Sequence, residues 1–546
     1  MSTRAALPVS ALLLPLLLVA LIYAPGFWGY WLGDDLTNLH HYFRWAEEGR
    51  LWSDSYARFF QGISAEGSAY RPLSILSLSA NYAVAGSHYA GWYASNYLVH
   101  LGNTLMVALL VLRLAAHQRM EGGVAAVLAA LAFGLAPTLA EGVYWLSARA
   151  DGWVTLLTLT ALHGWIGPAD AQRPRPWMPV WSTLCLLLAL SFKESAAVYP
   201  LQLGLLALVW PGRLGPSRWV ALALAFALLL LFFWWRAHLF GHAFWVYATP
   251  GAEQAPVDWL QRLGLAIGSI PSWWMALTQG ALWISLLYLL ALLAAVVLLL
   301  VAPGRQRVRW LALALFAASG GMVLATILNL GSFLAHGEGG RLSYGPIAWA
   351  AVGLGALLLH PLQARPFAPR RIALMLTVLA VLAGGALLTL ELAQVRRSQH
   401  GLAALVAALP SYVQQNPGYT LLLVPETDGQ AVILRNGQGA VALPPLQAEG
   451  LLDRVLPTLP SDIEQRHLRL AGGMGTRFIE GRFQHLAGEE VAHLYDPAEP
   501  RWPDRYACWS QRERRILALP APDPADAAAW VAQLRAALPG CAIDSP

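Results

Sequence analysis

The chain has 546 residues, 57% of them apolar and only 12% charged, with a mean hydropathy of +0.49 and a formal net charge of +5. That composition excludes a soluble globular enzyme and describes a polytopic membrane protein, and the small, scattered positive charge gives no basis for nucleic-acid binding.

From the N-terminus, Ala5 to Ala24 is an apolar run behind a single Arg4, with no small-residue cleavage pattern before Pro25-Gly26-Phe27-Trp28. It reads as a retained helix rather than a signal peptide. Apolar runs of about 17 to 23 residues recur along the chain. They predict eleven spans, centred near residues 15, 103, 131, 159, 185, 203, 226, 291, 320, 353 and 382. Trp28, Trp31, Trp92, Trp153, Trp234 and Trp235 fall at predicted helix ends, as expected of rings seated at headgroup level.

Alternate loops carry Arg113 and Arg119, Arg173 and Arg175, Arg213 and Arg218, Arg305 to Arg309, and Arg365 to Arg371, with almost no acid. The opposite loops hold Asp34, Asp35, Glu47, Glu48, Asp54, Glu66, Glu141, Asp151, Glu194, Glu253, Asp258 and Glu338. The positive-inside rule therefore places the N-terminus inside, and an odd number of spans places the C-terminal region outside. Residues 1–394 are expected to form the membrane domain and 395–546 a soluble one.

The first outer loop, about Phe27 to Ala90, is long and partly apolar, which is usual for functional loops. Val257 to Gln279, broken by Pro271, reads as an interfacial or re-entrant helix. Beyond Arg396, Tyr419 to Val424 and Ala431 to Leu434 read as strands and Ala525 to Leu538 as a helix, which predicts a small α/β or α+β domain. Cys185 lies within a span, whereas Cys508 and Cys541 both fall in this tail. They form either one disulfide in an oxidising compartment or two reduced thiols in a cytoplasmic one, and an outside tail favours the disulfide.

Five polar clusters fall at the outer ends of spans: Gly33-Asp34-Asp35, Tyr70-Arg71-Pro72-Leu73, Glu141 with Arg149 and Asp151, Lys193-Glu194, and Glu338 with Arg341 and Tyr344. Lys193 is the only lysine in the chain. Adjacent carboxylates followed by cations suit a reaction in which a base takes a proton and cations hold a leaving phosphate. Plainer readings stand beside this one. Lys193 and Glu194 suit a snorkelling anchor, Glu141 and Arg149 a structural ion pair, Tyr344 an interfacial anchor, and Asp35, Glu47 and Glu48 solvated loop charges. His40 and His41 lack regular metal-ligand spacing and read as solvated.

The order and spacing of these motifs resemble a GT-C glycosyltransferase, the multispanning class that uses lipid-phosphate-linked sugars. The chain is most similar to the membrane core of the transmembrane and tetratricopeptide-repeat protein O-mannosyltransferases and their bacterial relatives. The resemblance rests on Gly33-Asp34-Asp35, the YRPLS run from Tyr70, the PTLAEGVYWLSARAD run from Pro137 to Asp151, Ser191 to Glu194, and the EGGRLSYGP run from Glu338. The family's repeat array is missing, and an unrelated tail follows Arg396. By resemblance to protein O-mannosyltransferases and lipid A aminoarabinose transferases, Asp34 is the catalytic base and Asp35 its neighbour. Arg71 is similar to a residue that meets the donor phosphate, and Lys193 and Arg341 are further candidates for that contact. Tyr70, Glu141, Arg149, Asp151, Glu194, Glu338 and Tyr344 complete the expected site.

The expected function is an inverting glycosyltransferase of a bacterial inner membrane, with its site and tail facing the periplasm. It would move a monosaccharide from a polyprenyl phosphate to a hydroxyl of a protein, a glycan or a lipid. No nucleotide cofactor is expected, since no inner loop carries a glycine-rich phosphate motif. The class leaves a divalent cation open. The alternative is a transporter or lipid flippase that lines a path with the same charges, although neither internal repeats nor discontinuous mid-membrane helices are evident.

Overall fold

A computed structural model describes residues 10–61, 69–167, 177–210, 214–243, 282–301, 306–330, 340–361, 368–425, 427–428, 431–432, 434, 437–458, 504–520 and 541. Glu338, the Val257 to Gln279 segment and the expected tail helix Ala525 to Leu538 lie outside the described residues.

The described chain is dominated by helices. In order they are α1 (Ser10–Tyr23), α2 (Asp34–Glu47), α3 (Leu51–Ala57), α4 (Pro72–Ala85), α5 (Tyr89–Gln118), α6 (Gly123–Gly134), α7 (Ala140–Tyr144) and α8 (Arg149–Ile166). There follow α9 (Trp177–Phe192), α10 (Tyr199–Val209), α11 (Pro216–Phe240), α12 (Leu282–Val301), α13 (Gln306–Leu330), α14 (Tyr344–Leu358) and α15 (Ala368–Gln415). A helix stands at each of the eleven expected centres. Among the described residues, five are long and apolar enough to cross a membrane, namely α5, α11, α12, α13 and α15. A sixth arises if α6 and the bent segment Pro137–Tyr144 form one broken span. The chain is therefore a multi-pass helical membrane protein, but length and composition support fewer full crossings than the sequence pattern suggests. The shortfall has local causes: Pro137 breaks the span begun by α6, Lys193 and Glu194 separate α9 from α10, and Gly345-Pro346 opens α14.

Helix α5 is the central packing element, touching α1, α4, α6, α8 and α14. Small residues let the helices approach. A Cβ on Gly355 of α14 would lie 2.4 Å from Val111 Cγ2, and one on Gly134 2.5 Å from Val19 Cγ2. Trp28, Trp234 and Trp283 face outward, as interfacial rings should. Trp31 and Trp92 are instead buried, edge-to-face at 5.2 Å, and they belong to the core beneath α2 rather than to a headgroup belt.

The two ends of the bundle differ in charge. At one end, arginines bind the last carbonyls of helices, where a cation is favoured by the exposed C=O groups. Arg113 donates to His163 O at 2.9 Å, Arg218 to Trp165 O and Ile166 O at 3.1 and 2.6 Å, and Arg370 to Leu358 O at 2.7 Å. Strands β1 (Met120–Glu121) and β2 (His360–Pro361) pair antiparallel between the ends of α5 and α14. The opposite end carries α2, α3, α4 and the acidic motifs.

Helix α15 continues for 48 residues without a break at the expected domain boundary. Beyond it, β3 (Thr420–Leu423) pairs parallel with β6 (Val455–Thr458) and with β7 (Arg505–Ser510), and β7 pairs antiparallel with β8 (Arg515–Leu519). A separate short hairpin joins β4 (Thr427–Asp428) to β5 (Ala431–Val432). Cys508 on β7 is bonded to Cys541, and Cys185 is a buried free thiol.

Candidate active site

The acidic end is built around the first turn of α2. Gly33 precedes that helix with φ 52° and ψ −129°, a region an L side chain rarely adopts, and this turn delivers Asp34 and Asp35 to the helix N-terminus. The partial positive charge there favours carboxylates. Asp35 is buried, and both its oxygens are occupied. Leu146 N donates to Oδ2 at 3.0 Å, while Ser147 N and Oγ donate to Oδ1 at 2.7 and 2.6 Å. Burial pushes its carboxyl up to about 7, against the lowering effect of those hydrogen bonds, and the neighbouring Asp34 adds to the rise. Asp35 is thus no solvated loop charge. It fastens α2 to the turn that leads into α8, while Asp34 is the more accessible member of the pair. Glu47 and Glu48, at the far end of α2, are exposed.

The cations expected to meet a phosphate each stand on a carboxylate. Lys193 Nζ donates to both oxygens of Asp151, at 2.8 and 2.7 Å. Arg341 donates to Glu141 through its backbone N at 2.8 Å and through Nη1 at 2.6 Å, and its guanidinium lies 4.3 Å from the centre of the Trp145 ring. Arg71 Nε donates to Glu194 Oε2 at 3.0 Å. Lys193 is therefore no mere snorkelling anchor, since its side chain is only 12% exposed and its ammonium donates to both oxygens of a largely buried carboxylate. The nearby carboxylates Glu141, Asp151 and Asp34 favour the charged guanidinium of Arg341, which links three of the five clusters electrostatically.

The plainer reading of Glu141 and Arg149 as an ion pair does not hold. Glu141 takes Arg341, while Arg149 is buried and donates to Leu146 O at 3.1 Å and Ser77 O at 3.3 Å. It also donates to Asn81 Oδ1 and lies over the Trp92 ring, so it ties α8 to α4 and α5. Tyr344 is likewise no interfacial anchor. It is buried, its hydroxyl is 2.5 Å from His100 Nδ1, and a Cβ on Gly142 would come within 2.7 Å of its ring. Its ring therefore supports the segment that carries Glu141. Tyr70 fixes the approach to Arg71, with its hydroxyl donating to Phe59 O at 3.3 Å and its ring edge-on to Phe232.

Two features escaped the sequence reading. Arg236, in the last turns of α11, is 1% exposed, and its Nη1 lies 3.8 Å from Glu194 Oε1. Its Nε donates to Ala243 O at 3.0 Å, but neither terminal nitrogen has a hydrogen-bond partner among the described residues. The signal was available: an arginine within an apolar span is expensive and calls for a partner or ligand. The second feature is the tail. His40 is buried rather than solvated, and its Nδ1 lies 2.6 Å from Pro444 O. A Cβ on Gly437 would lie 2.1 Å from Gly33 O, so the tail backbone packs directly on the turn before Asp34. Among the described residues, no group of three His, Cys, Asp or Glu side chains could hold a metal ion.

No protein-family profile matches the chain, and no curated protein matches it. A structure of the arabinofuranosyltransferase AftD from Mycobacteria, determined by single-particle cryo-EM, is similar over 87% of this chain at 17% identity, with a TM-score of 0.45. The chain spans only 34% of the length of that protein. Similarity at this level establishes neither a shared fold nor a shared activity.

Proposed function

We propose that the chain is an inverting GT-C glycosyltransferase that moves a monosaccharide from a polyprenyl phosphate to an acceptor hydroxyl of a protein, glycan or glycolipid. The site would face the periplasm from a bacterial inner membrane, and the donor would enter from the lipid. The observation that carries this reading is a buried Arg236 whose terminal nitrogens lack hydrogen-bond partners among the described residues, grouped with Arg71 and Glu194 near α4, the helix on which α2 packs. Arg71 and Arg236 flank Glu194 at one end of the bundle that also holds Asp34 and Asp35.

In this mechanism, Asp34 accepts the proton of the acceptor hydroxyl as its oxygen attacks the anomeric carbon. The bond from that carbon to the phosphate oxygen breaks on the opposite face, so configuration inverts and the lipid phosphate leaves with added negative charge. Arg71 and Arg236 meet that charge, while Lys193 and Arg341, each neutralised by its carboxylate, offer N–H donors at the same end without adding net charge. Asp35, with both oxygens occupied, holds the position of α2 and leaves proton transfer to Asp34.

The test is transfer by the purified protein from a short-chain polyprenyl-phosphate sugar. Asp34→Asn keeps the shape and removes the proton acceptor, so turnover should fall by roughly two orders of magnitude or more while donor binding persists. Wild-type turnover in that variant would remove Asp34 as the base, and failure of the wild-type protein to bind or use any such donor would sink the reading.

A further inference from the structure

Glu194 occupies a place that an anion would otherwise take. Its Oε2 is 3.0 Å from Arg71 Nε and its Oε1 is 3.8 Å from Arg236 Nη1. The three side chains are 19%, 13% and 2% exposed for Arg71, Glu194 and Arg236. Two guanidinium groups at these distances favour the ionised carboxylate. Arg236 adds the second observation: both terminal nitrogens are buried and lack hydrogen-bond partners among the described residues, so donors remain for an incoming oxygen anion.

Lys193 stands on Asp151 and Arg341 on Glu141, and each of those pairs sums to zero. Two guanidinium charges against one carboxylate leave the Arg71–Glu194–Arg236 trio at +1. A lipid phosphodiester, the form of a lipid-linked sugar, carries one negative charge. The phosphomonoester left after transfer carries about −1.5 to −2 near neutral pH, because its second ionisation has a pKa near 6. The cost of burying an ion grows steeply with its charge, whereas its attraction to a fixed charge grows only in proportion. A buried site of charge +1 therefore suits a monoanion better than a dianion.

We propose that Glu194 is a specificity-determining residue: it sets the charge of this site so that a lipid phosphodiester is preferred over the corresponding phosphomonoester, which favours donor over spent lipid and speeds product release. The inference rests on the lipid-phosphate reading above and adds the discrimination between the two phosphate forms.

The experiment measures binding of a short-chain polyprenyl monophosphate and of its methyl phosphodiester, neither carrying a sugar, to the full-length protein in nanodiscs. Glu194→Gln should shift the affinity ratio toward the monophosphate by about tenfold or more at pH 8. In the wild-type protein, lowering the pH from 8 to 5 protonates the monophosphate to a monoanion, so its affinity should rise relative to the diester. The charged side chains paired with Glu194 and its neighbour Lys193 are Arg71, Arg236 and Asp151, and the elements packed against this turn also carry Arg149 and His163 on α8 and Arg307 and Arg309 on α13. The diester, measured in parallel, reports any titration of theirs. The wild-type pH series decides the matter if the variant does not fold. An unchanged ratio in Glu194→Gln, or a wild-type ratio that is flat between pH 5 and 8, overturns the inference while leaving the lipid-phosphate reading intact. Failure of both lipids to bind the wild-type protein overturns that reading, and the inference with it.

Discussion

Lys193 Nζ lies 2.8 and 2.7 Å from the two carboxylate oxygens of Asp151, so the chain's only lysine joins the end of α9 to the first turn of α8. The adjacent Glu194 turns to Arg71 and Arg236. One dipeptide thus ties the end of α9 to α8, α4 and α11.

Removing one member of the Lys193–Asp151 pair leaves the other as an uncompensated charge in a largely buried site. Lys193→Ala should therefore cost about 3 kcal/mol of stability, and Lys193→Met with Asp151→Leu should recover most of it. If the pair also supports donor binding, the double variant will be folded but slow. Thermal unfolding and transfer rates of purified protein in nanodiscs check both points, and a Lys193→Ala variant of normal stability and rate would return this residue to a simple anchor.

Asp35 makes stability fall as pH rises. Its carboxyl titrates near 7 in the folded protein because burial disfavours the charge, against an ordinary value of 3.8. Between these values the folded state holds the proton that the unfolded chain has released. The associated stability is therefore complete below about pH 4 and lost as pH climbs through 7, at up to about 1.4 kcal/mol per unit. Asp35→Asn, which keeps the proton-independent form, should flatten the dependence of the unfolding midpoint between pH 4 and 7. An identical slope in wild type and variant would show that Asp35 ionises normally.

The charge difference between the ends of the bundle yields a topology test. Arg113, Arg218 and Arg370 gather at one end and the acidic pairs at the other, so the positive-inside rule predicts that α2 and the tail lie outside. An impermeant maleimide applied to intact spheroplasts should label Gly49→Cys and Arg512→Cys but not Glu121→Cys. Labelling only Glu121→Cys before permeabilisation would invert the orientation and put the Cys508–Cys541 bridge in a reducing compartment.

Apolar runs made a helix legible at each of the eleven centres, but they overstated the crossings, since among the described residues only five of these helices, or six with the bent α6 pair, are long and apolar enough to span. The strand at Thr420–Leu423 was legible for a similar reason, as a short run of buried apolar residues. The pairing of charges was not. Glu141 is eight residues from Arg149 along the chain yet binds Arg341, whose sequence separation of 200 leaves no local signal. Arg236 follows directly on Trp234 and Trp235, which read as headgroup rings, so the local pattern suggests an interfacial rather than a buried arginine. His40 read as solvated because the surface that buries it comes from Pro444, 404 residues away. Composition and periodicity report which side of an element meets lipid, but not which distant side chain will meet it at the other side.

The contact between tail and α2 supplies the last prediction. A Cβ at Gly437 would stand 2.1 Å from Gly33 O, and Gly33 has little freedom to yield, since its own φ of 52° is fixed by the turn that presents Asp34. Gly437→Ala should therefore lift the segment around Gly439–Ala442 off α2 and disturb the neighbouring contact between His40 and Pro444. If Asp34 is the proposed base, transfer should fall by about tenfold or more, the order expected when a catalytic group shifts by an ångström, and limited proteolysis should cut the tail faster. Gly204→Ala is the matched control. That glycine lies within α10 with nothing within 4 Å of its would-be Cβ, so alanine there should be neutral or should stabilise by roughly 0.5 to 1 kcal/mol. A Gly437→Ala protein with wild-type proteolysis and wild-type transfer would show that the tail merely rests beside the site, and that the geometry of Asp34 is set by the membrane helices alone.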